Sequence, residues 1–522
     1  MEQYNVSPRV YDHSPQNHHI PFQIKLPLQI GILIHQDDPV WTFNEVMEGV
    51  NLAQFLKVSK LGREPYNPFM MLKVILFSEM LGGMSYRELE NACKNDIRFM
   101  FLAQEQTPSH NTFKNFVNDR LLLNIHEIFL TINEYLIKTN HINMDELYID
   151  GTKVEANANK YTFVWKKVAS RTRDRRLSDT LTIFDTLIKD YRFNIIYDEL
   201  SIEVIDHVVS QIIHRLIEDD IELVYGQGKR KTPLQRLLDK LVNYLYQLYS
   251  CIEKITICGE DRNSYSKTDH DATMMHMKED YYGGTNLFKA GYNVQLGVSD
   301  EFIMHASVIQ DRNDQKSLIP FLKQYQEMYH LTPEKIVADS GYGSYDNYMY
   351  LTLQHRKLYI KFHQYSREKS AKYKRQIYKR NNWKRVKDNQ YLCPQNHHTQ
   401  LINEYENTKG LYTRINFTLS TLKCDKCPVK KMCTDSKGHR NITYNPILEE
   451  FQDEVRKNLS GEEGKRLKDN RSYQSEGAFA QLKSKHGKER FRRRGLKSVT
   501  LEMLLSCIGY NLMKHHNKKT VH

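Results

Sequence analysis

Two acidic residues occupy positions from which carboxylates can do chemistry. Asp339 ends the β-branched run KIVAD and precedes the glycine pair of SGYG, a composition typical of a short buried strand that reaches the surface. A turn is the alternative, since Asp and Gly are preferred in turns. Asp150 in LYIDG occupies a similar place, after a strand pattern with Leu147 and Ile149 on one face. Both positions favour carboxylates at strand ends.

A third acid, Glu476, lies in a predicted helix that continues into a basic segment. Within SEGAFAQLKSK, Lys483 returns to the face of Glu476 two turns later. Converging carboxylates are costly unless divalent cations neutralise them through oxygen ligands. Two Mg²⁺ (or Mn²⁺) ions about 3.5–4 Å apart can serve in-line phosphoryl transfer. We therefore predict that Asp150, Asp339 and Glu476 are catalytic magnesium ligands and that Lys483 assists them; surface carboxylates are the alternative.

The elements that must position these acids follow the order strand, helical insertion, strand, strand, helix, strand. The strand of Asp150 precedes long amphipathic helical runs, and KAGYNVQLGVSD and EFIMHASVIQ then read as a hairpin around residues 299–301. A helix and the strand at residue 335 complete the series. This is the order of a ribonuclease H-like α/β mixed sheet, in which adjacent central strands would bring Asp150 and Asp339 together.

The region before the sheet has helical periodicity with two recognisable helix starts. Ser85 and Glu88 form a capping-box pattern, and Ser109 can cap a second helix. Short helices joined by a turn fit an all-α, helix-turn-helix-like DNA-binding unit, with Lys114 and Asn115 available on the second helix. A plain helical bundle is the alternative.

The net charge of +12 is concentrated in two segments. Residues 366–393 carry a net +8 and residues 483–497 a net +7, so the remainder of the chain is weakly acidic. Such segments, with interleaved aromatic residues that include Tyr373, Trp383 and Phe491, favour a nucleic-acid backbone over a merely solvated surface. The candidate DNA contacts in and near these segments are Arg375, Lys379, Arg380, Lys384, Arg385, Arg471, Lys485, Lys488, Arg490, Arg492, Arg493 and Arg494.

Four of the eight cysteines crowd one region, between Asp339 and Glu476. Cys393 is followed by Cys424-x2-Cys427-x5-Cys433, which supplies the four thiolates of a tetrahedral structural Zn²⁺. Reduced thiols and disulfides are the alternatives. We predict a small, zinc-ribbon-like Cys-rich insertion.

The length and composition indicate a multidomain protein that acts in the cytoplasm. The most apolar stretch, FMMLKVILFSEMLGGM, is interrupted by Lys73 and Glu79, and no secretory leader pattern is present, so no membrane partner is expected. We predict an extended arm at 1–40, a helical DNA-binding domain at 41–140, a catalytic domain at 141–365 with a helical insertion at about 170–265, a basic Cys-rich insertion at 366–445, and C-terminal catalytic helices at 446–522.

Several stretches resemble bacterial insertion-sequence transposases of the DDE class with an InsH-like N-terminal domain: YNPFMMLKVILFSEMLGGMSYRELENACKND, YIDGTKVEANANKYTFVWKK, SKTDHDATMMHMKED, FKAGYNVQLGVSDEFI, IVADSGYGS and SEGAFAQLKSKHGKERFRRRG. By this resemblance the catalytic triad maps to Asp150, Asp339 and Glu476. Related transposases carry a Tyr-Arg-Glu-Lys signature on the glutamate helix. Glu476 and Lys483 match it, whereas Asp469 and Ser472 stand where Tyr and Arg are expected.

The resemblance implies a DNA transposase that binds the terminal inverted repeats of its own element. It would cleave phosphodiester bonds and join 3′-hydroxyl ends to target DNA, with double-stranded DNA as partner and a homodimer as the active form in a nucleoid-associated complex. A ribonuclease H-like nuclease or resolvase without strand transfer is the enzymatic alternative. A catalytically inactive DNA-binding derivative is the other.

Overall fold

The computed structural model describes residues 8–9, 23–24, 30–56, 66–226, 230–278, 287–387 and 390–520. Most of the predicted N-terminal arm therefore lies outside the described residues. Within it, strands β1 (Pro8–Arg9) and β2 (Gln23–Ile24) pair antiparallel.

The helical region begins with helices whose caps are supplied by the sequence. Ser85 N–H donates to Glu88 Oε2 at 2.6 Å, and Ser109 Oγ accepts from Thr112 N–H, so both predicted helix starts are confirmed. The α-helices among the described residues of this region are α1 (Pro39–Gly49), α2 (Pro68–Met80), α3 (Tyr86–Asn95), α4 (Ile97–Leu102), α5 (His110–Phe116) and α6 (Leu122–Asn140).

The most apolar run of the sequence is helix α2, which is buried on nearly all sides and belongs to the main hydrophobic core. Its uniform apolarity therefore reflects packing inside the protein. Among the helices that the structure describes, none combines the length and apolarity that crossing a bilayer requires.

The chain enters the sheet at strand β3 (Glu146–Glu155) and then leaves it for the helical insertion. Strands β4 (Phe163–Trp165) and β5 (Ser264–Ser266) pair antiparallel at its base. Between them lie α7 (Lys166–Tyr191), α8 (Ile202–Glu218) and α9 (Pro233–Cys258), which enclose a core of their own.

The central sheet contains the predicted hairpin and both predicted acid-bearing strands. Asp300 and Glu301, both with positive φ, form the two-residue turn between β7 and β8. The remaining strands of this sheet are β6 (Thr273–His276), β7 (Phe288–Ser299), β8 (Phe302–Ile309), β9 (Lys335–Ala338) and β10 (Lys357–Leu358). Helices α10 (Leu318–Tyr329) and α11 (Tyr345–Leu353) connect them.

The strand order is β8-β7-β3-β9-β10, with β6 beside the first part of β7. Strands β3, β9 and β10 are parallel to one another, and β7 is antiparallel to β3. Since β8 is antiparallel to β7, it runs in the same direction as β3. The carboxyl ends of β3, β8 and β9 therefore lie at one edge of the sheet, an order that fits the predicted ribonuclease H-like arrangement.

The Cys-rich insertion is a small β-rich unit with its own core of Trp383, Tyr391, Leu419, Ile442 and Tyr444. Its elements are α12 (Tyr365–Glu368), α13 (Ala371–Lys374), β11 (Lys384–Lys387), β12 (Gln390–Leu392), β13 (Gln400–Asn407), β14 (Arg414–Thr421), α14 (Lys430–Cys433) and β15 (Arg440–Tyr444).

The C-terminal helices connect the central sheet to the helical region. Helix α18 (Leu496–Thr520) packs against α2, α6 and β8, so that these elements share one hydrophobic core. The preceding elements are α15 (Pro446–Ser460), α16 (Glu462–Arg471), a π-helical turn (Ser472–Glu476) and α17 (Gly477–Ser484).

Candidate active site

The structure places Asp150 and Asp339 side by side. Contrary to the prediction from the sequence, Asp150 does not end its strand but lies in the middle of β3, whereas Asp339 directly follows β9. Ile149 pairs with Ala338 in the parallel register of the two strands, so Asp150 and Asp339 lie at the same level of the sheet. The acidic groups are close enough for Asp339 to act electrostatically on Asp150. The strand pairing predicted from element order therefore brings together two acids that are far apart in the sequence.

Asp339 directly follows strand β9 and organises the turn after it. Gly341 N–H donates to Asp339 Oδ1 at 2.7 Å, so the carboxylate caps the following 3₁₀ turn. A Cβ at Gly341 would lie 2.9 Å from that same oxygen, and one at Gly343 would collide with the Lys361 carbonyl. A turn and a functional acid are thus compatible in SGYG, because Gly341 allows its backbone to approach the Asp339 carboxylate closely.

Asp150 is a carboxylate that the fold neutralises incompletely. Burial is the main cause that raises its pKa to about 6. The Arg471 guanidinium and a hydrogen bond from Gly151 N–H oppose the rise in pKa, and the negative charge of Asp339 adds to it. A carboxyl group in this state gains from a nearby cation.

Glu476 reaches the site from the end of the π-helical turn. Its Oε1 accepts a 2.9 Å hydrogen bond from Arg471 Nη2, while Arg471 Nη1 lies 3.8 Å from Asp150 Oδ2. A π turn contains one more residue than an α-helical turn. The signature expects an arginine four residues before the glutamate, where this chain has Ser472. Because the π turn adds one residue, Arg471, five residues before Glu476, lies at that position instead.

Asp314 is a further acid at this edge that sequence reasoning missed. It follows β8, accepts from Asn293 Nδ2 at 2.7 Å, and acts with Asp150 and Asp339 to raise the pKa of the buried Tyr342, for which burial is the main cause. Tyr342 in turn donates to Gln295 Oε1. The signal that could have found Asp314 is the shared direction of β3, β8 and β9, which puts residues after β8 beside the two predicted acids.

Cations also lie near the acids. Lys361 follows β10, and its pKa is lowered chiefly by burial, then by Arg471 and Lys468, with Asp339 acting in the opposite direction. Helix α17 is regular from Gly477 onward, so Lys483 lies two turns from Glu476 on the same side by helical periodicity. This region therefore contains positive charge that could orient a phosphate.

The predicted DNA contacts fall into two groups in the structure. One group is exposed on the surface: Lys114, Asn115, Arg375, Lys379, Lys384, Arg385, Lys485, Arg492 and Arg494. Within it, Arg494 Nε also donates to the Asn157 carbonyl at 2.7 Å. The other group is tied to partners within the protein: Arg380 to Glu449, Arg471 to Glu476, Lys488 to Glu502, Arg490 to Glu155, and Arg493 to Asn118 and Tyr86.

Lys488 shows why basic character alone did not separate the two groups. Its side chain is 7% exposed, and Nζ lies 3.0 Å from Glu502 Oε1, so in this conformation it is withdrawn from any phosphate. The carboxylate of Glu502 also accepts from the backbone N–H groups of Arg492 and Arg493. The basic loop is therefore built around a buried acid from α18.

The interleaved aromatic residues do not form a stacking surface for bases. Tyr373, Trp383 and Phe491 are all buried and contribute to hydrophobic packing. Alternation of aromatic and basic residues here reflects elements with one buried side and one charged side. The expectation that these three rings add nucleic-acid affinity directly is therefore not supported by their positions.

The four clustered cysteines line one small cavity of about 20 Å³. His397 N–H donates to Cys393 Sγ and Arg440 N–H donates to Cys424 Sγ, both at 3.4 Å. Burial raises the pKa of the Cys433 thiol, Arg440 opposes the rise, and the other three sulfurs add to it. All four cysteines are free thiols.

Across the described residues, no three or more His, Cys, Asp or Glu side chains are grouped with the geometry that holds a metal ion. The donor types nevertheless suit the metals predicted from the sequence. Carboxylate oxygens of Asp150, Asp339 and Glu476 are the ligands that Mg²⁺ prefers, and Asp150 lacks full neutralisation. Four sulfurs facing one cavity suit Zn²⁺.

Comparisons with known families agree with this architecture. A family model described as a transposase DDE domain matches residues 392–516, which contain Glu476 and the four clustered cysteines. A model described as a transposase domain (DUF772) matches residues 29–119, the greater part of the helical region. No curated protein and no solved structure matches the chain. The mixed α/β fold fits a ribonuclease H-like DDE domain, and the two matches indicate that the chain is an insertion-sequence DDE transposase.

Proposed function

We propose that the protein binds the terminal inverted repeats of its own element, cleaves phosphodiester bonds there and joins the 3′-hydroxyl ends to target DNA. It would act as a homodimer on double-stranded DNA in the cytoplasm, at the nucleoid. The observation that carries the proposal is the adjacency of Asp150 and Asp339 at one sheet edge, with Glu476 linked to Asp150 through Arg471.

The chain supplies ligands and positioning groups for this chemistry. Asp150, Asp339 and Glu476 would hold two divalent cations, which activate an attacking oxygen and stabilise a leaving one in phosphoryl transfer. Asp150 binds such a cation in its ionised form, which at neutral pH predominates for a pKa of about 6. Lys361 and Lys483 would orient the scissile phosphate through charge-assisted hydrogen bonds.

A wide cleft next to the Asp339 turn provides a route for a DNA strand. It has a volume of about 920 Å³ and lies between helices α10 and α11 and the Cys-rich insertion. Lys323, His363, Lys409 and Arg414 line it, and the turn residue Ser344 forms part of its wall. The basic insertion would then hold DNA beside the acids without taking part in the reaction.

The helical region would recognise the element ends. Helix α5 buries Phe113 and Phe116 and presents Lys114 and Asn115 to solvent. A short helix with an exposed polar face next to α3 is the arrangement that a helix-turn-helix-like unit uses in the major groove.

We also propose that Cys393, Cys424, Cys427 and Cys433 bind one structural Zn²⁺. Backbone N–H groups that donate to Cys393 and Cys424 are the kind of surrounding hydrogen bond that orients metal-binding sulfurs. Metal analysis of freshly reduced protein should find about one Zn²⁺ per chain, and Cys427→Ser with Cys433→Ser should remove it. Reduced protein without zinc would leave the cysteines as free thiols.

The test of the main proposal is a reaction with labelled element-end duplexes, Mg²⁺ or Mn²⁺ and a target plasmid. Cleaved ends joined to the plasmid are expected. Cleavage without joining would instead indicate the nuclease or resolvase, and binding without cleavage would indicate the inactive DNA-binding derivative. In the same assay Lys483→Ala should slow cleavage of bound ends more than it weakens binding.

A further inference from the structure

A guanidinium lies among the carboxylates at the position where a cation is needed. Arg471 donates to Glu476 Oε1 at 2.9 Å and lies 3.8 Å from Asp150 Oδ2. The Arg471 side chain is 16% exposed, as enclosed as that of Asp150 at 17%, whereas that of Glu476 is 57% exposed. The arginine therefore bridges an enclosed acid on the sheet and an exposed acid on the helix.

The π-helical turn is what directs Arg471 and Glu476 at each other. In a regular α-helix, residues five apart point about 140° away from one another around the axis. Bonding from residue i to i+5 places them on one face instead. The buried Ser475 Oγ also donates to the Arg471 carbonyl at 2.9 Å, which fixes the backbone at this point. The local geometry thus holds the guanidinium in the cluster.

Arg471 shares this region with other cations. Lys361 and Lys468 act electrostatically in the same region, and the hydrogen bond to the exposed Glu476 is open to solvent. An ion pair with one exposed partner contributes little to stability. Arg471 can therefore leave Glu476 at small cost when a stronger cation arrives.

We propose that Arg471 is an internal counter-ion that competes with divalent cations for Asp150 and Glu476 and leaves these carboxylates when the cations bind. The inference rests on the proposed function, because it assumes that the triad holds divalent cations. Release would leave the guanidinium beside the reaction centre. There a phosphate of the bound DNA strand would accept the hydrogen bonds that the carboxylates accepted before. Neutralisation of the free enzyme and DNA contact would then be successive roles of one residue.

The experiment measures Mn²⁺ binding to the full chain by calorimetry, together with the thermal midpoint with and without Mn²⁺. Arg471→Gln should bind Mn²⁺ at least about threefold more tightly than wild type, because the competing charge is gone. Its midpoint should rise more than that of wild type when Mn²⁺ is added. Arg471→Lys, which keeps the charge but loses the two-pronged geometry, should fall between them.

Arg466→Gln is the matched control. Arg466 lies on the same helix α16 and also pairs with an acid of β3, since its Nη2 lies 2.5 Å from Glu146 Oε1. Glu146 begins β3, four residues before Asp150, and is not one of the proposed metal ligands, so this control should leave Mn²⁺ affinity unchanged. Affinity in Arg471→Gln that equals or falls below that of wild type would overturn the inference, as would an equal gain in Arg466→Gln.

Asp150→Asn separates failure of this inference from failure of the proposed function. If wild type shows no Mn²⁺ binding that Asp150→Asn removes, the metal-dependent function and the inference both fail. If wild type shows such binding but Arg471→Gln does not strengthen it, only the counter-ion role fails.

Discussion

Two acids on strand β3 have opposite surroundings. Glu155 is 5% exposed, and its carboxylate is met by Lys289 Nζ at 2.9 Å and Arg490 Nε at 3.5 Å. Asp150, five residues earlier, has Arg471 at 3.8 Å and Asp339 beside it. Glu155 is neutralised by the fold, whereas Asp150 is left short of positive charge.

The difference shows how burial and partners together separate structural from catalytic acids. A buried acid with close cations matters for stability because removing either partner would leave the other charge buried and unpaired. A buried acid next to another acid keeps unused capacity for a cation that comes from outside. Composition cannot distinguish the two, because both are single acids on the same strand, Asp150 in its middle and Glu155 at its end.

The largest expected effect comes from removing the acids at the sheet edge. Asp150→Asn, Asp339→Asn and Glu476→Gln should each reduce cleavage of element ends by at least about 10³-fold, since several kcal/mol of transition-state charge stabilisation would be lost. Binding to the same duplex should change little, because phosphate contacts come from basic groups. Single-turnover cleavage and binding assays on one duplex check this, and wild-type rates in any variant would remove that residue from the triad.

The next largest effect should come from Glu155, on stability. Glu155→Gln leaves the buried ammonium of Lys289 without its charge partner, and breaking such a pair costs about 3–5 kcal/mol. Urea unfolding of the variant should show this loss relative to wild type. Glu404→Gln, at an exposed position on β13, is the control and should change the free energy of unfolding by less than about 0.5 kcal/mol. A loss that small in Glu155→Gln would mean that the pair is dispensable.

A smaller effect, which is a gain of stability rather than a loss, is expected for Asp150→Asn when no metal is bound. The pKa of about 6 in the folded protein exceeds the ordinary value near 3.9, so stability falls as the pH rises from the lower value to the higher, and the loss is complete above both. Asp150→Asn should therefore raise the free energy of unfolding by about 2 kcal/mol at pH 7.5. The gain should shrink between pH 6 and pH 4. Thermal midpoints across this range in the presence of chelator check it, and a pH-independent difference would contradict the burial argument.

The smallest expected effect distinguishes exposed from enclosed members of the basic loop. Arg494→Gln should weaken binding to any DNA about equally and lower the salt slope by roughly one unit, as loss of one phosphate contact does. Lys488→Met should leave the salt slope unchanged and act on stability instead, since Lys488 is paired with Glu502 inside the protein. Equal salt slopes for wild type and Arg494→Gln would show that Arg494 does not contact phosphate.

The sheet was predictable because its strands and caps carry local signals. The periodicity around Leu147, the two-residue turn at Asp300 and the capping box at Ser85 each depend on neighbouring residues only. The pairing of Asp150 with Asp339 then followed from element order. The helical insertion was also predicted, with its first helix beginning at Lys166, slightly before the expected boundary at about 170.

The parts that sequence did not yield depend on contacts between distant elements. Lys488 looked like its basic neighbours, and only Glu502 on α18 explains its burial. Arg471 did not fit the expected spacing because a π turn gives no recognisable pattern in the sequence. Asp314 required knowledge of the direction of β8. Each of these features is set by three-dimensional packing rather than by local propensity.

The paired strands at the base of the helical insertion have a consequence for the order of folding. Strands β4 and β5 bring the ends of the insertion together, and hydrogen bonds from Lys166 N–H to the Asn263 carbonyl and from Lys267 N–H to the Thr162 carbonyl extend this junction. Closing a long loop costs conformational entropy that grows only with the logarithm of its length, and helical hairpins form from local contacts. Once the insertion has formed, β3 and β7 meet across a short effective loop. The two strands can therefore pair as though they were near neighbours in the chain.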